Sequence, residues 1–246
     1  MMIIQRTENP QWLSNAYLVA EGPGGSGVLI DANEVVDDLL ERIDRDSITI
    51  TNVLCTHHHS DHVGDFPDYK KRFGVPVLGH QLAAERLGRR FIDETIGDGD
   101  TIRSGSLEIQ AIATPGHCAD HLAFLVNGTE AFTADCLFKG TVGGTMNQGS
   151  YSDQRHSIMD RLMKLPPETT VHPGHREPTT IGDEWDTNPF IRVWRGVDPE
   201  GTERCLVRGR DATLILWGPD YDGTHKAWVR FDDGEDAIVG GSQVER

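Results

Sequence analysis

The residues best suited to chemistry lie in one short run of the sequence, His57-x-His59-x-Asp61-His62. The run follows residues 48–55, an apolar stretch that predicts a buried strand. Because side chains alternate along a strand, we expect His57 and His59 to share one face. If the chain then turns into a helix, Asp61 and His62 can face a second centre. Imidazole and carboxylate groups are ligands that a divalent ion such as zinc accepts, so the run predicts a metal site.

Two further histidines follow predicted strands in a shared pattern. The tripeptide Pro-Gly-His ends at His117 after residues 107–113, and it recurs, ending at His175, after residues 170–172. Proline ends the pairing of a strand, and glycine permits a sharp turn that aims the next side chain. Either copy alone would indicate only a tight turn, but two copies favour metal ligands. Asp135 also follows a predicted strand, and its two carboxylate oxygens could bridge two ions.

The elements that position these residues alternate between strand and helix patterns, which predicts an α/β domain over residues 1–195. Strands are predicted over residues 2–5, 15–20, 27–31, 48–55, 75–78, 101–102, 107–113, 122–126, 131–133 and 170–172. Helices are predicted after a cap at Asn33 and over residues 69–72, 82–91 and 152–165. Past residue 195 the helix patterns stop. We expect a small β-rich extension of unknown role over residues 196–246, with strands at 213–217, 226–231 and 237–239.

The composition limits the classes of partner. The chain has 246 residues and a formal net charge of −16. An acidic balance argues against binding to nucleic acids and to anionic membranes, which both need clustered Lys and Arg. No apolar run approaches the roughly 20 residues of a membrane span, and the first residues lack the pattern of a signal peptide. We therefore expect a cytoplasmic protein that acts on a small molecule, and its oligomeric state stays open.

The four cysteines form no CxxC pair, and they stand at positions Cys55, Cys118, Cys136 and Cys205. Their spacing indicates neither a disulfide framework nor a cysteine-rich zinc site. We expect them to be small, buried side chains.

Taken together, the motifs resemble the metallo-β-lactamase-fold hydrolases over about residues 1–195. The order and approximate spacing match the metal ligands of that superfamily at His57, His59, Asp61, His62, His117, Asp135 and His175. Other segments also match, at residues 15–19, 29–31, 179–182 and 187–190. The last two resemble the glyoxalase II-like branch, the hydroxyacylglutathione hydrolases. The resemblance implies an α/β fold, an αββα sandwich with the site at one edge of its two sheets, followed here by the small β-rich extension.

The resemblance also implies a ligand set and a reaction. One ion would be held by His57, His59 and His117, the second by Asp61, His62 and His175, with Asp135 between them. The cofactors would be two divalent metal ions, zinc first, with iron or manganese as alternatives. A hydroxide bridging them, oriented by the catalytic Asp61, would cleave a thioester or ester of a small molecule. The chain contains neither a Gly-x-Ser-x-Gly elbow nor a Gly-x-x-x-x-Gly-Lys-Ser/Thr motif, which favours metal-assisted hydrolysis.

Two departures from the glyoxalase II-like pattern bear on the substrate. That branch carries an Arg or Lys after the bridging aspartate that holds the carboxylates of glutathione, whereas Gly144 stands at this position here. Lys139 is the nearby cation that could replace it. The helical C-terminal domain of full glyoxalase II is replaced by residues 196–246. We therefore expect a substrate that is less anionic than a glutathione thioester.

Three other functions stay open at this point. Persulfide dioxygenases resemble this ligand run but use one iron, and the matching positions are His57, His117 and Asp135. Against that reading, their Arg-Thr-Asp-Phe-like stretch is replaced by residues 144–147. Related metallonucleases share the ligands, but the net charge disfavours them, and the missing signal peptide disfavours a β-lactamase. The last alternative is a non-catalytic, metal-stabilised binding protein.

Overall fold

The computed structural model describes residues 2–145 and 149–246. The described residues form two compact units. Unit 1 falls within Met1–Ala113, Asp120–Ala134 and Gly174–Arg176, and unit 2 falls within Thr114–Ala119, Asp135–Pro173 and Glu177–Arg246. The predicted α/β class is confirmed. The boundary at residues 195 and 196 stays a prediction.

Unit 1 contains the strands and helices of the first half of the chain. Its strands are β1 (Ile3–Glu8), β2 (Asn15–Ala20), β3 (Ser26–Ile30), β4 (Thr49–Leu54), β5 (Val77–Gly79), β6 (Glu94–Thr95), β7 (Thr101–Ser104), β8 (Leu107–Ala113), β9 (Leu122–Val126) and β10 (Glu130–Ala134). Its helices are α1 (Asp37–Arg45), α2 (Ser60–Val63), α3 (Phe66–Phe73) and α4 (Gln81–Leu87).

The strands of unit 1 form two sheets that pack face to face. In the first sheet, β1, β2 and β3 are antiparallel and β3 to β6 are parallel. The second sheet in this unit is the antiparallel meander from β7 to β10. Alternation along β2 explains the layers: Leu18 packs among α1 and α3, whereas Tyr17 and Val19 pack in the core shared with the second sheet.

The predicted helix cap at Asn33 is wrong. The α1 helix begins at Asp37 without a side-chain cap. The Asn33 amide instead donates to the carbonyl oxygens of Thr7 and Ser14, at 3.2 and 2.7 Å. These bonds satisfy one backbone acceptor in β1 and one in the loop that follows it, so tertiary contacts override the local capping signal.

Unit 2 contains the second half of the chain. It comprises β11 (Leu137–Phe138), β12 (Thr141–Val142), α5 (Tyr151–His156), β13 (Thr170–Pro173), β14 (Thr179–Thr180), α6 (Ile181–Thr187), α7 (Pro189–Trp194), β15 (Glu203–Val207), β16 (Arg210–Pro219), β17 (His225–Phe231), β18 (Asp236–Gly240) and β19 (Val244–Glu245). The helix predicted over residues 152–165 is α only to His156, and it continues as a π-helical turn and a 3₁₀ turn.

The expected β-rich region forms one antiparallel sheet in unit 2. The strands follow the order β18, β17, β16, β15 and β19. Their inward residues, among them Cys205, Leu214 and Val229, form a core of their own. All four cysteines of the chain are buried free thiols, as the spacing predicted. Among the described residues, none of the helices is both long and apolar enough to cross a bilayer.

Candidate metal centre

The histidine run lies where β4 ends and α2 begins. His57 Nε2 lies 3.0 Å from His59 Nδ1, so the two predicted ligands share a face. His58 points elsewhere, because its Nδ1 lies 2.8 Å from the carboxylate of the fully buried Asp120. His121 is also buried, and its ring centroid lies 5.1 Å from that of His57. The alternation predicted for this run is therefore present.

Asp31 ties two predicted ligands into one hydrogen-bond network. Its Oδ1 accepts from the backbone N–H of Thr56 at 2.9 Å, and its Oδ2 lies 2.7 Å from Thr56 Oγ1 and 3.0 Å from His62 Nδ1. Since a carboxylate only accepts, we assign the hydrogens to Thr56 Oγ1 and His62 Nδ1. Thr56 Oγ1 in turn accepts from His57 Nδ1 at 3.0 Å. Both histidines therefore keep the Nε2 lone pair for a metal ion, as is usual for metal-bound imidazole.

A second group of potential ligands forms within unit 1. Asp61 and His62 lie in α2, and His175 is placed by a β-bridge to Ser14. Asp61 Oδ2 lies 3.6 Å from His62 Nε2 and 3.7 Å from His175 Nε2. The two imidazoles are buried, and the Asp61 side chain is 19% exposed. The ring centroids of His57 and His62 are 4.5 Å apart, so this group adjoins the first histidine pair.

In unit 2, His117 and Asp135 face each other. His117 Nε2 lies 3.5 Å from Asp135 Oδ2, and His117 Nδ1 donates to the carbonyl oxygen of Gly144 at 2.9 Å. The preceding Gly116 has a φ of +145°, and a Cβ there would lie 2.2 Å from Gln154 Cα. Glycine is therefore required at this turn, as the Pro-Gly-His pattern predicted.

The donor set fits divalent metal ions. Two ligands of one zinc ion, each about 2.0–2.2 Å from it, are at most about 4.4 Å apart. The four separations between ligand atoms given above run from 3.0 to 3.7 Å and satisfy this limit. Side-chain groups that could hold a metal ion include all seven predicted ligands, His57, His59, Asp61, His62, His117, Asp135 and His175. Their coordination roles stay predictions.

Sequence reasoning missed three positions that orient these side chains: Asp31, Asp120 and the Gly144 carbonyl. A charged residue directly after the apolar strand β3 could have indicated Asp31, which is only 3% exposed. Asp120 lies 62 residues from its partner His58, and Gly144 contributes a backbone oxygen. Neither of the last two has a local signal in the sequence.

Comparison with known proteins places the chain in a family. Residues 9–175 match the description "Metallo-beta-lactamase superfamily". A hydroxyacylglutathione hydrolase of Nitrobacter winogradskyi is 32% identical over 224 residues, which cover 88% of this chain and 82% of the relative.

Two solved structures are similar in fold and in sequence. ETHE1 from Myxococcus xanthus superposes with a TM-score of 0.69 at 31% identity, over 80% of this chain and 92% of that one. TTHA1623, whose structure is of a di-iron-bound form, superposes with a TM-score of 0.62 at 32% identity, over 76% and 99%. Since the family match spans most of the chain and includes every predicted ligand, the chain belongs to the metallo-β-lactamase superfamily.

Proposed function

We propose that this protein is a binuclear metal-dependent hydrolase that cleaves a thioester or ester of a small molecule. The observation that carries the proposal is the Asp61, His62 and His175 group next to the His57 and His59 pair. This second group, two buried imidazoles and the partly exposed Asp61 carboxylate, has the donors to hold a second ion. Relatives named hydroxyacylglutathione hydrolase support the reaction class.

The proposal assigns each predicted ligand to an ion. His57, His59 and His117 would hold one ion, Asp61, His62 and His175 the other, and Asp135 would bridge both. Zinc is the first candidate, and iron or manganese are alternatives. The di-iron form of TTHA1623 supports a pair of ions in a related protein.

The chemistry then divides between the ions and the protein side chains. Two bound divalent ions would lower the pKa of a bound water and polarise a carbonyl group. Asp61 is the catalytic residue of the proposal, because its carboxylate is the part of the second group that solvent reaches. It would orient the attacking water and accept its proton. Asp31 would keep His57 and His62 in the tautomer that presents Nε2.

The substrate is proposed to be less anionic than a glutathione thioester. Gly144 brings no side chain to the position where a glutathione-binding branch carries a base, and the Lys139 side chain is exposed. With a formal net charge of −16, the protein as a whole repels a highly charged anion. Cytoplasmic location and the absence of nucleic-acid and membrane partners remain part of the proposal.

The mononuclear iron oxygenase is the second function to test. It would use His57, His117 and Asp135, and it would leave the Asp61, His62 and His175 group without a role. The residues that distinguish the persulfide dioxygenase branch include Met146 and Asn147, which lie outside the described residues.

A substrate panel tests the proposal. Metal-loaded protein would be assayed with a hydroxyacylglutathione thioester, an acyl thioester of an uncharged thiol, an aryl ester and a phosphodiester, and for oxygen uptake with a glutathione persulfide. We expect hydrolysis of the uncharged thioester or the ester, loss of turnover after chelation, and recovery when metal is returned. Oxygen uptake without hydrolysis would refute the hydrolase, and inactivity on every compound would favour a binding protein.

A further inference from the structure

The five-stranded C-terminal sheet contacts the chain segment that orients a predicted metal ligand. We infer that this sheet is a positioning element for His117: it holds residues 142–145 so that the Gly144 carbonyl keeps His117 in the metal-binding tautomer. The inference rests on the proposed function, in which His117 binds a metal ion. All the contacts that carry it lie within unit 2.

The first contact joins Thr145 to the edge strand β18. The backbone N–H of Thr145 donates to the carbonyl oxygen of Ile238 at 2.8 Å, and the backbone N–H of Ile238 donates to Thr145 Oγ1 at 2.9 Å. Both main-chain groups of Ile238 are thus used by one residue 93 positions earlier in the chain. Two reciprocal bonds fix the position and the direction of Thr145, which is buried.

The second contact holds the other end of the segment. Lys226 of β17 is only 5% exposed, and its Nζ donates to the carbonyl oxygen of Val142 at 2.9 Å. The same ammonium lies 3.0 Å from Asp220 Oδ1 and 5.3 Å from the centre of the Phe138 ring. Burial of an ammonium group is costly unless it is paired and hydrogen-bonded. An apolar side chain would pack the sheet against residues 142–145 without that cost. The buried lysine therefore indicates that the hydrogen bond itself matters, because it fixes the direction of the Val142 carbonyl group.

Between these two contacts lies Gly144, whose carbonyl oxygen accepts a hydrogen bond from His117. The backbone N–H of Gly143 donates to the carbonyl oxygen of Cys136 at 3.2 Å, and Gly144 presents its own carbonyl oxygen 2.9 Å from His117 Nδ1. Because this oxygen only accepts, His117 carries its hydrogen on Nδ1 and keeps the lone pair on Nε2. Nε2 is the atom that lies 3.5 Å from Asp135 Oδ2. A shift of residues 142–145 would remove the acceptor that selects this tautomer.

Metal titration of three variants tests the inference. Thr145→Val removes the acceptor for Ile238 N–H with little change of shape, and Thr145→Ser keeps the hydroxyl. Thr180→Val is the stability control, because Thr180 Oγ1 caps α6 by accepting from Asp183 N–H at 3.0 Å, a bond that does not involve residues 142–145. Stepwise zinc affinities of metal-free protein would be measured by competition with a chelator, together with the visible spectrum of the cobalt form.

We expect Thr145→Val to weaken one of the two zinc sites about 10–100-fold, the usual effect of losing a partner that orients a ligand. The zinc affinity of the other site should stay at the wild-type value. Thr145→Ser should bind both ions with wild-type affinity, and Thr180→Val should lower only the thermal midpoint of unfolding. The double variant Lys226→Met/Asp220→Asn tests the other contact and should weaken the same site. If wild-type protein binds two ions and these variants bind both with wild-type affinity and spectrum, the inference is wrong. Wild-type protein that binds fewer than two ions would instead overturn the proposed function, and this inference with it.

Discussion

Replacement of Asp31 by Asn tests how the buried carboxylate controls the histidine ligands. In the variant, the amide oxygen can still accept from the backbone N–H of Thr56, the bond that is 2.9 Å long in the native protein. The amide nitrogen would then face Thr56 Oγ1 and His62 Nδ1, the two atoms that now lie 2.7 and 3.0 Å from Asp31 Oδ2. An amide nitrogen only donates, so the hydrogen of His62 must move to Nε2, the atom needed for metal binding.

The expected size of the effect follows from the number of ligands involved. Loss of an orienting partner costs about 10–100-fold in metal affinity, which is about 1.4–2.7 kcal/mol at about 1.36 kcal/mol per factor of ten. Asp31 contacts His62 directly and reaches His57 through Thr56. We therefore expect Asp31→Asn to weaken both zinc sites, with the site that contains His62 affected more.

Chelator competition on the metal-free Asp31→Asn variant measures the zinc affinity of each site, and its thermal midpoint measures its stability. The matched control is Asp120→Asn, because Asp120 is also a buried carboxylate that binds an imidazole, but its partner His58 is not a predicted ligand. The control should lose stability and keep its zinc affinities. Equal zinc affinities in Asp31→Asn and the wild-type protein would refute the role assigned to Asp31.

The remaining predictions concern the ligands, the substrate and the pH dependence. His117→Ala and Asp135→Ala should each abolish turnover and lower the bound metal measured by elemental analysis; full metal content with full turnover in either variant would show that the ligand assignment is wrong. Gly144→Arg should raise kcat/KM for a glutathione thioester about tenfold, the effect of one charge-assisted hydrogen bond of about 1.5 kcal/mol, and leave an uncharged thioester unchanged. A Cβ at Gly144 would lie 3.5 Å from the Ile238 carbonyl oxygen, an ordinary van der Waals contact. An unchanged ratio of the two kcat/KM values would argue against this substrate position. Burial raises the pKa of the Glu184 carboxyl from its ordinary value of 4.5, so the folded state holds this proton more tightly than the unfolded state does. The contribution of Glu184 to the free energy of unfolding therefore falls as the pH rises above about 4.5 towards the folded pKa. Glu184→Gln should remove that decline in urea unfolding of metal-free protein, and a difference from wild type that does not vary with pH would contradict it.

The α/β class of unit 1 could be predicted because strand and helix patterns are local signals, whereas the layering of its two sheets was implied only by the resemblance to the metallo-β-lactamase fold. In β2, Leu18 faces the helices while Tyr17 and Val19 face the second sheet, and the unbroken apolar run over residues 16–20 is typical of a strand that is buried on both faces. The same alternation separates His57 and His59 from His58. The alternation of strand and helix patterns therefore predicted the fold class, and short motifs at strand ends predicted the candidate ligands.

Features that depend on distant backbone groups could not be predicted. The acceptor for His117 Nδ1 is the carbonyl of Gly144, and the partner of Thr145 is Ile238, 93 residues away. Backbone oxygens have no residue type, so spacing cannot reveal them. The helix cap predicted at Asn33 was wrong for a related reason: its side chain has the chemistry of a cap, but it donates to the carbonyl oxygens of Thr7 and Ser14.

The metal content of the wild-type protein tests the central claim most directly. Elemental analysis of protein purified without added metal, and again after loading with zinc and desalting, would give the number of ions per chain. We expect two divalent ions per chain, in keeping with the seven predicted ligands, all of which belong to side-chain groups that could hold a metal ion. A single iron that no loading can supplement, or no bound metal at all, would contradict it.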